Sequence, residues 1–152
     1  MSDFTTFSRR VVMTLWLLLT LFVLRVLGQV LVVFAGVHWL PPMEQWQSGI
    51  LPYPVLLSSQ IAIIALLVRV CVDCSRGEGF FARTRFDRGA LWFGYVYFAS
   101  MVVRYILRMY LYPENRWFGG TIPIVFHCVL ATFIILFARS HRAQLESCPA
   151  RN

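Results

Sequence analysis

Arg25 and Gln29 stand four residues apart, and Ser100, Arg104 and Arg108 repeat at i, i+4 and i+8. On helices, each set lines one face. A guanidinium offers a planar fork of N–H donors that fits phosphate or carboxylate, and glutamine, serine and histidine add contacts to oxygen. Together with Gln60 and His127, these side chains have the chemistry to hold the oxygen-rich head of an anionic or quinone-like amphiphile. Motifs for covalent or metal chemistry are missing from the sequence: it has no glycine-rich phosphate loop, serine nucleophile elbow or His-Glu metal pair. An enzyme would have to use His127 as acid or base with the arginines holding phosphate. The balance points away from catalysis.

The chain that must position these residues is 152 residues long, 59% hydrophobic and 14% charged, with a mean hydropathy of +0.66. Such a composition excludes an ordinary water-soluble globule and a disordered chain. A membrane span needs about 20 mostly apolar residues. Four stretches qualify, at about 11–40, 54–70, 89–112 and 121–138. They predict an all-α integral membrane protein, a single four-helix transmembrane bundle. The first apolar run continues through Arg25, too long for a cleaved signal peptide, so it is read as retained.

All 14 basic residues are arginine. Arg9, Arg10, Arg69, Arg76, Arg83, Arg85, Arg88, Arg139, Arg142 and Arg151 fall on one side of the four spans, and only Arg116 lies in a loop on the other. The positive-inside rule then places both termini in the cytoplasm. Trp16 and Trp92 fit the inner interface; Trp39, Trp46, Tyr53, Tyr112 and Trp117 fit the outer one. A small, all-arginine membrane protein points to a bacterial inner membrane. Topology accounts for the net charge of +7, so nucleic acid is not expected as a partner.

Counting depth at ~1.5 Å per residue puts Arg25 and Arg104 roughly 21 to 23 Å from the inner interface. Gln60 and His127 each lie about 9 Å below the outer ends of their helices. All four helices thus place a polar residue in one slab of the outer half. A buried arginine costs at least ~2.5 kcal/mol at the bilayer centre, yet the four stretches contain no Asp or Glu. The nearest carboxylates are Glu44 and Glu114, in the outer loops.

The arrangement predicts a non-enzymatic membrane protein that binds an anionic or quinone-like amphiphile in an outer-leaflet polar pocket, within a larger assembly. Its ligand-binding residues would be Arg25, Gln29, Gln60, Ser100, Arg104, Arg108 and His127. Three alternatives use the same residues. In a small transporter or flippase they would carry an anionic head across. In a purely structural subunit they would face neighbours that supply the missing acids. In the plainest case Arg108 snorkels, Arg25 and Arg104 meet helix carbonyls or Glu44, and the slab only joins helices. Expected partners are membrane lipids, with other membrane subunits or further copies of the chain.

The basic inner loop, 71–88, interleaves Phe80, Phe81 and Phe86 with Arg83, Arg85 and Arg88. That pattern fits a segment lying in the head-group layer, rings in lipid and guanidinia on anionic lipid. Cys71-Val-Asp-Cys74 has redox and metal spacing, but no second pair follows it. Cys148 and His141, in the tail, are the only residues placed to complete a four-ligand site. Cys128 reads as a packing residue. His38 and His127 sit at different depths, against bis-histidine haem. No metal or cofactor is expected.

Overall fold

The computed structural model describes residues 7–36, 52–83, 88–111 and 121–147. Among the described residues the regular structure is all helical, without strands. In chain order they form α1 (Arg9–Ala35), α2 (Tyr53–Arg76), the single turn α3 (Phe80–Arg83), α4 (Arg88–Leu111) and α5 (Thr121–Ser147). Four of these helices, all but α3, are long and apolar enough to cross a membrane. His38, Trp39, Glu44, Trp46, Arg85, Phe86, Tyr112, Glu114, Arg116, Trp117, Cys148 and Arg151 lie outside the described residues.

The helix ends follow local chemistry. Pro52 caps α2 and Pro54 sits in its first turn, where a missing N–H costs nothing. The expected first span ran to residue 40, but α1 ends at Ala35. Gly36 takes the left-handed conformation there, at φ 56 and ψ 37, which a residue without Cβ adopts freely. α2 runs past the expected end at 70 to Arg76 and stops at Gly77, φ 65. α5 continues past 138 to Ser147. Along the spans, Thr14, Thr20, Ser58 and Thr132 return their hydroxyl protons to carbonyls four residues back, at 2.8–2.9 Å. In an apolar surrounding such internal satisfaction replaces water.

α1 packs on α2 and on α5, α4 packs on α5, and α3 packs on α2. Short loops predict consecutive helices as neighbours. That holds for α1 with α2 and for α4 with α5, whereas α2 and α4 share no comparable interface. The bundle is therefore an open row rather than a closed square. Its core is a stripe on α1 (Leu15, Leu19, Phe22, Val26) meeting Leu67, Val70, Cys71 and Cys74 of α2 and Phe133 and Phe137 of α5.

Gly94 is the one buried residue of α4. A Cβ there would lie 2.7 Å from the Ile135 side chain, so the glycine lets the two helices approach. Gly94→Ala is expected to destabilise by about 1 kcal/mol, because Ile135 must shift. Gly89→Ala, in open space on the same helix, is expected to stabilise by up to about 1 kcal/mol. Thermal unfolding in one detergent compares the two.

At the arginine-rich end a clasp holds α3. The buried carboxylate of Asp73 meets the Arg69 guanidinium at 3.3 Å and accepts the Phe81 backbone N–H at 3.1 Å. The Nε2–H of His141 donates to the Phe81 carbonyl at 2.6 Å, and the His141 ring packs edge-on against Phe7 and Phe137. Of the expected lipid-surface residues, Phe81 has both backbone polar groups held by α2 and α5, and its ring is half-buried beside Phe137. His141, expected in the tail after the fourth span, is buried on the continuation of α5. Phe80 and Arg88 are exposed, and Arg83 closes α3. Cys71 and Cys74 are buried core residues.

Candidate ligand-binding site

Toward the far end of the row, α1, α2 and α5 enclose a cavity of about 90 Å³. Its polar wall is Arg25 from α1, Ser59 and Gln60 from α2 and His127 from α5. Phe22 and Phe126 are among its apolar lining. On α2 the lining positions 56, 59, 60 and 63 follow helical spacing, so one face of the helix supplies them. Arg25 is buried, its guanidinium carbon 5.4 Å from the centre of the Phe126 ring, within cation–π range.

Two buried amides sit at the junction of α1 and α2. Gln60 Nε2 donates to Gln29 Oε1 at 3.0 Å. Gln29 is 0% and Gln60 4% exposed, and each keeps one buried amide atom without a hydrogen-bond partner among the described residues, Gln29 Nε2 and Gln60 Oε1. Such atoms cost about 1–3 kcal/mol each when left unmade. Gln60→Leu alone is expected to destabilise by about that much, because it strands the other amide, whereas Gln29→Leu with Gln60→Leu is expected to be near neutral. Thermal unfolding of the two single variants and the double variant reads this coupling.

His127 is held from its other side. Its Nδ1 is 2.6 Å from the Tyr97 hydroxyl of α4, with the two rings edge to face. When the phenol donates, the ring proton sits on Nε2, which then presents a donor. The polar inventory is thus donor-rich, from Arg25 and His127, with one unfilled acceptor, Gln60 Oε1. It complements a head group bearing several acceptor oxygens and one O–H or N–H.

Of the residues expected to share a depth, Arg25, Gln60 and His127 meet around this cavity, with Gln29 bonded behind Gln60. Ser100, Arg104 and Arg108 do not line it. Ser100 is exposed and donates to the Tyr97 carbonyl at 2.7 Å; Arg104 is exposed; Arg108 is half-buried, its Nε without a hydrogen-bond partner among the described residues. Tyr97, Ser59 and Phe126 were not singled out by sequence. Tyr97 lies seven residues before Arg104 and so on its face, a signal the spacing carried. Set against protein families, curated proteins and solved structures, the chain matches none of them.

Proposed function

We propose that this is a non-enzymatic membrane protein that holds the oxygen-rich head of an anionic or quinone-like amphiphile between α1, α2 and α5, as one subunit of a membrane assembly. The observation that carries the reading is Gln60: almost fully buried, its Oε1 without a partner among the described residues, on the wall of the cavity that Arg25 and His127 also line. A polar atom of that kind, beside a buried guanidinium, is complemented by a ligand group. The size fits a head group only, since pockets that enclose whole drug-sized ligands run to roughly 300–1,000 Å³. The apolar tail would remain in the hydrocarbon beside the exposed leucines and isoleucines of the helices. With both termini cytoplasmic, in a bacterial inner membrane, the cavity belongs to the outer-leaflet half.

The test titrates the purified protein in neutral detergent with a short-chain phosphatidic acid and, separately, a short-chain benzoquinone, following tryptophan fluorescence. Saturable one-to-one binding of either, lost in Gln60→Leu and kept in Arg88→Gln, is expected. Binding of neither probe, or equal binding by wild type and Gln60→Leu, would rule the proposal out.

A further inference from the structure

The four spans rank in an order that lipid alone does not explain. Over an 18-residue stretch of each, α1, α2 and α5 have mean hydropathies of 2.5, 2.3 and 2.3, with 28, 22 and 33% of the stretch buried; the stretch in α4 has 1.4, with only 6% buried. A helix facing lipid all round has to be apolar all round, and polar residues turn toward protein. The least apolar helix should therefore be the best covered. Instead α4 sits at the edge of the row, and among the described residues its one substantial interface is with α5.

Past its first residue, the polar groups of α4 include two charges. Arg104 is exposed and lies seven residues before Leu111, about 10 Å inside the far end of the helix. Arg108 stands one turn further out on the same face. Among the described residues the four long helices hold two acids, Asp73 and Glu146, both toward the opposite end, and Asp73 is already bonded to Arg69 and the Phe81 N–H. A second copy of this chain, related by an axis along the membrane normal beside α4, would bring Arg104 against Arg104, two like charges, and no acid of the described helices lies at that depth. A planar guanidinium is matched by a carboxylate bound through two parallel hydrogen bonds.

We propose that α4 is the docking face for a transmembrane helix of a different protein, one that carries Asp or Glu at the depth of Arg104. The carboxylate pairs with Arg104, and the partner helix covers the stripe that also includes Leu107 and Leu111. This names the partner for the assembly part of the proposed function and does not depend on what fills the cavity.

The experiment places a photo-crosslinking benzoylphenylalanine at Leu107, or at Leu24 of α1 as the lipid-facing control, both more than half exposed. The full chain is irradiated in its own membranes and the adducts are sequenced. The expected result is a discrete protein adduct from position 107 and lipid adducts alone from position 24. The crosslinked helix should carry an Asp or Glu level with Arg104. The adduct should fall at least tenfold in Arg104→Gln and in Arg104→Glu, and return when the partner's acid is exchanged for arginine beside Arg104→Glu. Lipid adducts alone at 107, an adduct with a second copy, a partner helix without an acid, or an adduct unchanged in Arg104→Gln would overturn the proposal. The position-107 adduct is also measured in Gln60→Leu, which alters the cavity wall and not α4; an unchanged adduct there is expected, and separates failure of the cavity from failure of this interface.

Discussion

Arg25→Met is expected to weaken binding of a phosphate-headed amphiphile about ten- to hundredfold. Methionine keeps much of the apolar stem of arginine, so the packing beside Phe22 and Phe126 is largely retained. What is lost is the charge and the fork of donors. Hydrogen bonds to charged groups contribute about 1.5–3 kcal/mol, and each 1.4 kcal/mol is about a factor of ten in affinity. Arg25→Lys should fall between the two, because an ammonium keeps the charge but not the two-point geometry. Titrations of wild type, Arg25→Lys and Arg25→Met with the same short-chain phosphatidic acid give the series. A neutral quinone should lose less than a phosphate in Arg25→Met, since charge contributes less to holding a carbonyl.

The meeting of Arg25, Gln60 and His127 was legible because a straight helix converts residue number into depth at a fixed rise. Gln29 followed from its four-residue spacing to Arg25. The same count gave Arg104 a matching depth but carried nothing about lateral position. Which neighbours a helix takes is decided by packing, such as Gly94 against Ile135, and α4 settled on the side of α5 away from α2. In the basic loop, phenylalanines interleaved with arginines carry no sign of the hold on Phe81, because the residue that captures its N–H, Asp73, stands between two cysteines and acts across a glycine turn.

Gly79→Ala is expected to be the most damaging small substitution, at about 2–4 kcal/mol. Its φ is +110, a region that costs a non-glycine residue about 1–3 kcal/mol. A Cβ there would also lie 2.5 Å from the Asp73 carboxylate. The carboxylate cannot yield without giving up the Phe81 N–H or Arg69, so the clasp on α3 opens and a buried charge loses partners. Gly36→Ala separates the two causes. Gly36 also has positive φ, at 56, but nothing lies within 4 Å of its Cβ position. It should cost only the left-handed strain, about 1 kcal/mol. Thermal midpoints of the two variants, followed by tryptophan fluorescence in one detergent, check the difference. Equal shifts would mean that the clasp contributes nothing beyond backbone conformation.

The account's central claim is that the cavity of Arg25, Gln60 and His127 holds a ligand head. Native mass spectrometry of the protein released gently from its own membranes tests it most directly, with wild type beside Arg25→Met and Arg88→Gln. The account predicts one discrete additional mass per chain in wild type and Arg88→Gln, absent from Arg25→Met, and its fragmentation would name the head group. A wild-type spectrum with no such mass, or one that Arg25→Met leaves unchanged, would contradict it.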